Sequence, residues 1–388
     1  MDNPIMARMI SRSLDLHLPL NVHFDLTYRC NERCVHCYLD HDDLGELTTA
    51  EVKGILDQLR ESGTFFLTYS GGEIFLRKDC FELIGYARQL HFDVSLKTNG
   101  LTITAATAER LRSLGVRRVQ VSIYSADATI HDAITKVRGS LQRSLEAVRL
   151  LRDAGLVVKI ACPLMPQNTA GYRKVVELAH ELGISYTLDV TITGKIDGDL
   201  SLLKLREPAQ NLLAVLSDPE LKPDELCEVS KAEPPAPSEA DEALRDIACS
   251  AGHNACYISP YGEVFPCVQM PLPTGNLRQE RFADIWYSSP ALRRLRALRD
   301  TQVPICSECS IRKYCERCPG LAMMEDGDLY GPSLRACELA EAKARLAGAA
   351  NPVSEFRRRR AEDREFGKTN FPLVPAQRLV NIQPLVTG

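Results

Sequence analysis

Between residues 22 and 193 the chain alternates between two hydrophobic periods. Six short runs are rich in Val, Ile, Phe, Tyr and Thr: Val22–Thr27, Thr64–Ser70, Phe92–Thr98, Arg118–Tyr124, Val157–Cys162 and Ser185–Thr193. They read as buried or half-buried strands. Segments with apolar residues every three or four positions follow them. Thr48, Thr49, Ala50 and Glu51 form a capping-box pattern ahead of a stripe of Val52, Ile55, Leu56 and Leu59, and that helix stops near Gly63. Ser140–Gly155 aligns Leu141, Leu145, Val148 and Leu151 on one side, and Ala170–Gly183 aligns Val175, Val176, Leu178 and Leu182. Alternating strands and helices imply parallel strands with right-handed crossovers. Six such units predict an α/β fold, a curved sheet or partial (β/α)6 TIM-like barrel. Periodicity alone leaves an open doubly wound sheet as the alternative.

The pattern changes after this region. Residues 231–244 begin with a Pro-rich polar stretch and read as a linker between a barrel unit at 21–230 and a module at 245–345. Helical patterns in the module are short, so its cysteines are expected to stand in for a hydrophobic core. Residues 1–20 form a lead-in. Residues 346–388 form a tail with a basic run, Arg357–Arg360, read as solvated, with a partner-docking segment as the rival. No repeat of solenoid period is present.

Composition narrows the function classes. The chain has 388 residues, 45% apolar and 25% charged, which is ordinary globular usage and excludes whole-chain disorder. No apolar run approaches a membrane span. A net charge of −4, from 47 basic and 51 acidic residues, gives no general attraction for nucleic acid. Arg8, Arg12, Asp15 and His17 interrupt the N-terminus, so it lacks the pattern of a secretory signal, and a cytoplasmic location is expected. Disulfides are then an improbable use for the 14 cysteines, and metal or redox chemistry becomes the default.

The cysteines cluster. Cys30, Cys34 and Cys37 lie in one loop after the first strand, with His36 and Tyr38 beside them. A closed zinc site usually wants four protein ligands, and no fourth cysteine is near. Three thiolates on a [4Fe–4S] cluster leave one iron open to bind something else. Ser70, Gly71, Gly72 and Glu73 end the second strand, where backbone without side chains can approach a ligand closely and a carboxylate can meet an ammonium group. Thr98, Asn99 and Gly100 end the third strand, and Ser122 lies in the fourth. The cysteine loop, both glycine turns and the segment from Cys162 to Met165 all follow C-terminal strand ends. In a parallel barrel those ends share the face that carries active sites.

The spacing of Cys30, Cys34 and Cys37, three residues and then two, resembles the motif of the radical SAM superfamily. His36 occupies the family's aromatic position before the third cysteine. The resemblance implies a cluster-held S-adenosylmethionine (SAM) with contacts from His36, Tyr38, Gly71, Gly72, Glu73, Thr98, Asn99 and Ser122. It also implies a basic partner for the SAM carboxylate, for which Lys136 and Arg138 both qualify. Cys162 is expected to give a hydrogen atom to a substrate radical, to bind substrate, or to be a core cysteine, the commoner fate of a free cysteine. Cys80 and Cys227 receive no role.

Eight later cysteines, Cys249, Cys256, Cys267, Cys306, Cys309, Cys315, Cys318 and Cys337, suffice for two four-thiolate sites. Paired zinc knuckles are the alternative, since two residues separate Cys306 from Cys309, and Cys315 from Cys318. With Gly262, Pro266, Gly275, Asn276, Leu277, Ile285 and Trp286, this region resembles the SPASM extension of radical SAM enzymes. The run departs from the family's spacing before Cys318. By the family's interleaved pattern, Cys249, Cys256, Cys267 and Cys318 hold one auxiliary [4Fe–4S] cluster, and Cys306, Cys309, Cys315 and Cys337 the other.

The resemblance implies three [4Fe–4S] clusters, reductive cleavage of SAM to a 5′-deoxyadenosyl radical, and hydrogen abstraction from a peptide or protein substrate. The product is a crosslink or related oxidation of a ribosomally made peptide. Val268 stands where sulfatase-maturing relatives carry aspartate, which argues against formylglycine formation. An external donor of flavodoxin or ferredoxin type is expected. The fused leader-binding domain of many relatives is not expected in the about 20 residues before the first strand, which leaves a separate leader-binding protein, or none. A tetrapyrrole-modifying enzyme and a non-catalytic metal-stabilised binding module are the alternatives.

Overall fold

A computed structural model describes residues 4–41, 43–221, 247, 249–299 and 303–359. The expected linker and Cys227 lie outside the described residues, as does the tail beyond 359. Six strands, β1 (Asn21–Thr27), β2 (Phe66–Gly71), β3 (Asp93–Thr98), β4 (Arg118–Ser122), β5 (Val157–Pro163) and β6 (Ser185–Asp189), pair in parallel in sequential order. The order never reverses, so there is no switch point of the doubly wound kind. The sheet stays open, which makes it a partial barrel.

Seven helices accompany these strands: α1 (Pro4–Asp15), α2 (Thr49–Glu61), α3 (Cys80–Gln89), α4 (Ala105–Ser113), α5 (Ala128–Thr135), α6 (Ser140–Asp153) and α7 (Tyr172–Glu181). The capping box at Thr48 and Glu51 forms as the sequence predicts, and Val52, Ile55, Leu56 and Leu59 are all buried. The lead-in is largely helical. Ser13 accepts a hydrogen bond from Asn254 at 2.8 Å and the His17 carbonyl accepts one from Trp286 at 2.6 Å, which tie it to the module.

Alternation along the strands sorts the two faces. Val22, Phe24, Leu26, Leu67, Tyr69, Val94, Leu96, Val119, Val121, Val158, Ile160, Tyr186 and Leu188 join one apolar core with the helices. The intervening positions include His23, Ser70, Lys97, Gln120, Ser122, Lys159, Thr187 and Asp189, and these line a cavity inside the curve. A closed TIM barrel fills this space with branched apolar side chains. Here the lumen is polar and open.

One expectation changes. The sixth strand stops at Asp189, not Thr193, because the Asp189 carboxylate accepts from the Thr191 amide at 2.8 Å and turns the chain along the cavity wall. The cysteine-rich module shares the barrel's sheet. Its strands β7 (Ala255–Ile258), β8 (Glu263–Phe265) and β9 (Gly275–Asn276) extend the barrel sheet, with β7 parallel to β1 and the other pairings antiparallel. Phe282, Ile285, Trp286 and Leu292 of the module join the barrel core. Residues 351–359 pack back onto the module. Ser354 and Phe356 are buried, and Arg357 and Arg359 pair with Glu341 and Glu308. Among the described residues no helix is long and apolar enough to cross a membrane.

Candidate active site

The cysteine loop is held in place by three neighbouring segments. The Arg33 and Val35 amides donate to Thr135 and Ile134 carbonyls at the end of α5, at 3.1 and 3.0 Å. The Gly72 and Glu73 amides donate to Thr27 and Arg29 carbonyls at 2.8 and 2.9 Å. These contacts explain the two glycines. A Cβ on Gly71 would lie 2.1 Å from the Thr27 oxygen, and one on Gly72 would lie 2.3 Å from the Arg29 oxygen. Gly71 also has φ +123°, which L side chains rarely adopt. The cysteine loop therefore rests directly on the backbone that ends β2.

Glu73 is fully buried and organises the next layer. Its carboxylate accepts from the Thr98 hydroxyl at 2.8 Å, the Asn99 amide at 2.9 Å and the Phe75 amide at 3.2 Å. Burial raises its pKa, and these three donors oppose the shift. Asn99 in turn donates to Asn31 inside the cysteine loop at 2.6 Å and approaches Cys30 Sγ at 3.8 Å.

These segments meet at a cavity of about 620 Å³. Cys30, Cys34, Cys37, His36, Tyr38, Gly71, Gly72, Thr98, Asn99 and Ser122 all line it. Glu73 lies behind that wall. Lys136 and Arg138 are exposed and do not line it. Only the carbonyls just before them, on Ile134 and Thr135, reach the cysteine loop. Cys162 borders the cavity but is 1% exposed and alternates with Val158 and Ile160 on the helix-facing side. Burial pushes its thiol up to about 12, and its Sγ lies 3.5 Å from the Tyr124 carbonyl. That placement fits a core cysteine.

The donor set suits an iron–sulfur cluster with a bound cofactor. Three thiols share one loop, and burial pushes that of Cys30 up to about 11. His36 is held neutral, lowered to about 4 by burial, and its buried Nδ1 has no hydrogen-bond partner among the described residues. Glu32 Oε1 is likewise buried and unpartnered, while Oε2 accepts from Cys34 Sγ at 3.3 Å. Unsatisfied buried groups around a cavity mark where a ligand completes the site.

Sequence reasoning passed over Glu32 and the lumen residues His23, Lys97, Gln120, Tyr124, Lys159 and Asp189. The signal was present in β3 and β4, where every second position is polar: Asp93, Ser95 and Lys97, and Arg118, Gln120 and Ser122. His23 Nε2 meets buried Asp25 at 3.0 Å, and Asp25 accepts from Tyr257 at 2.9 Å, whose hydroxyl meets that of Tyr28 at 2.6 Å. Burial lowers the His23 pKa, and Lys97 adds to the effect.

The module gathers its cysteines unevenly. Cys306, Cys309, Cys315 and Cys337 surround one small cavity beside Phe356. Burial pushes Cys337 up to about 12, and its three partners push the same way. Cys267 is also pushed up to about 12 by burial, with Cys249 and Cys318 as charged neighbours. Cys256, expected as the fourth member of that set, is not there. It packs in the barrel core, paired in register with Val22, and its charged neighbour is Arg296. Among the described residues no three His, Cys, Asp or Glu side chains converge closely enough to hold a single metal ion. A four-iron cluster asks for less convergence, since each thiolate binds a different iron.

Comparison with known proteins matches residues 24–182 to the Radical SAM superfamily and residues 249–310 to SPASM, an iron–sulfur cluster-binding domain. An AdoMet-dependent heme synthase of Methanosarcina barkeri is 30% identical, over 80% of this chain and 94% of the relative. A mycofactocin maturase of Mycobacterium tuberculosis is 30% identical over 80% of each chain. The crystal structure of Streptococcus suis SuiB bound to precursor peptide SuiA superposes with a TM-score of 0.66 at 19% identity, covering 87% of this chain and 82% of that one. The last likeness concerns the fold.

Proposed function

The chain belongs to the radical SAM superfamily and carries its SPASM extension, and from that premise we propose that it oxidatively modifies a ribosomally made peptide. Cys30, Cys34 and Cys37 would hold the SAM-binding cluster, and the module two auxiliary clusters. When bound, the reduced cluster supplies an electron that cleaves SAM to a 5′-deoxyadenosyl radical able to abstract hydrogen from carbon. The chain's own residues bind, orient and exclude water. Gly71 and Gly72 seat the cysteine loop against the end of β2 and line the cavity that would take the cofactor. Thr98, Asn99 and Ser122 offer polar contacts, and Glu73 fixes the first two. The polar lumen positions the substrate carbon, which supplies the orientation that radical transfer needs.

The observation that carries the peptide reading is the cavity itself. Its volume of about 620 Å³ falls in the range that holds one drug-sized ligand. With SAM inside, the open side of the cavity leaves room for a peptide side chain to enter. Peptide-modifying relatives such as the mycofactocin maturase support the same class.

One observation favours a second reading. Lys97 and Lys159 flank Gln120 in direct register across β3, β4 and β5, and all three line the cavity. Two lumen cations suit carboxylates, which tetrapyrrole side chains carry, and heme synthases are among the relatives. The test is deuterium transfer. Anaerobically reconstituted protein is given SAM, a reductant and either a pool of synthetic perdeuterated peptides or a deuterated porphyrin carboxylate. Deuterium in 5′-deoxyadenosine from peptide supports the proposal. Transfer from the porphyrin alone overturns it.

A further inference from the structure

The first auxiliary cysteine set is one thiolate short, and the missing member is fixed in place by the sheet. Tyr257 faces the lumen, opposite His23 in register, and its hydroxyl bonds Asp25 and Tyr28. Successive side chains on a strand point to opposite faces. Cys256 must then point away from the cavity, and it does: it is 3% exposed, beside Val22 and in the same core as Trp286 and Leu292. Turning Cys256 inward needs a one-residue slip of β7, which would move every β7 side chain to the wrong face. It would also break the buried Asp25–Tyr257–Tyr28 network.

The other three cysteines meet elsewhere. Cys249 and Cys267 pack against one small apolar cluster, and their sulfurs accept from the Ala251 and Gln269 amides at 3.4 and 3.2 Å. Amides aimed at sulfur favour the thiolate and tune a cluster held there. Cys318 approaches the same place through Gln269, whose Oε1 accepts from the Cys318 thiol at 4.0 Å. Gln269 thus touches two of the three sulfurs, its backbone amide at Cys267 and its side chain at Cys318. Gln269 and Val268 both line the main cavity.

We propose that the first auxiliary site is a three-thiolate site, held by Cys249, Cys267 and Cys318, with its fourth position at Gln269 on the cavity wall and not at Cys256. This rests on the reading that the module holds iron–sulfur clusters. It gives the cluster an oxygen ligand or, with Gln269 displaced, an iron facing the substrate cavity.

The test uses the full chain, reconstituted anaerobically, with iron and sulfide per chain and EPR spectra of the dithionite-reduced protein. Cys256→Ala and Cys256→Ser are expected to keep the wild-type content of about twelve irons and its spectrum, while Cys267→Ser loses about four. Gln269→Ala is expected to keep the iron, shift the reduced-state signal, and let added imidazole shift it again. Loss of about four irons in both Cys256 variants overturns the proposal. So does loss of the cluster in Cys227→Ser, or a Gln269→Ala spectrum identical to wild type. Zinc in place of iron in the wild type would instead remove the cluster reading on which it rests.

Discussion

Asn99 Nδ2 donates to Asn31 Oδ1 at 2.6 Å, joining the end of β3 to the middle of the cysteine loop. The same Asn99 is fixed from behind by Glu73, which accepts its amide, and by Ser144, which donates to its carbonyl at 2.7 Å. Three segments far apart in sequence thus meet at one residue, two at its backbone and the cysteine loop at its side chain. Asn99→Ala should fold with a loss of about 1 kcal/mol yet form 5′-deoxyadenosine at least about tenfold more slowly. Anaerobic turnover at matched iron content reads this, and an unchanged rate would remove Asn99 from the site.

Gly72→Ala should strip the SAM-binding cluster selectively. Its Cβ would fall 2.3 and 2.6 Å from two backbone oxygens, of Arg29 and Tyr28, and neither can rotate away. The expected result is a folded protein lacking about four irons. Gly54 is the contrast. Nothing lies within 4 Å of its Cβ position, and it sits inside α2. Gly54→Ala should raise stability by about 0.5–1 kcal/mol, measured by thermal melting.

Stability should fall in mild acid through His131. Its Nδ1 accepts from the Tyr124 amide at 3.1 Å, and burial lowers its pKa to about 4. Protonation is easier in the unfolded chain, near the ordinary 6.5. The contribution is therefore complete above pH 6.5 and is lost progressively as pH falls from 6.5 toward 4. His131→Asn offers an acceptor without titrating. Urea unfolding of the apo-protein should show a flatter pH slope for this variant across that window.

Lys159 should select for acidic substrates. It lines the cavity and has no ion-pair partner among the described residues. Lys159→Gln should weaken a carboxylate-bearing ligand by about 10- to 100-fold, the loss of one hydrogen bond to a charged group. An amide analogue of the same ligand should bind both proteins alike, as read by equilibrium titration.

Cys162→Ala should retain substrate-dependent SAM cleavage and melt at a lower temperature. The side chain is buried with Ile160 and Leu188, so its removal leaves a small cavity. Loss of turnover with unchanged melting would instead place the thiol in the chemistry.

The sequence was most informative where chemistry is local. The thiol spacing sits in one loop, the capping box spans Thr48 to Glu51, and the glycine pair follows its strand directly. Each is readable because the residues involved are chain neighbours. The alternation of strands with helices likewise determined the parallel pairing, and the fixed period of two in side-chain direction set the two faces of each strand.

Tertiary structure decided what depends on distant segments. The family's interleaved pattern placed Cys256 with Cys249, Cys267 and Cys318, but the pairing of β7 with β1 turned it into the barrel core. Lys136 and Arg138 followed the right strand, but α5 ends so that their side chains stay in solvent. The polar lumen joins Lys97, Gln120 and Lys159 only because three separate strands fall into register. The module's dependence on the barrel core was hidden for the same reason. A sequence specifies which groups a segment offers and which face they share, while sheet register and packing determine which groups from remote segments meet.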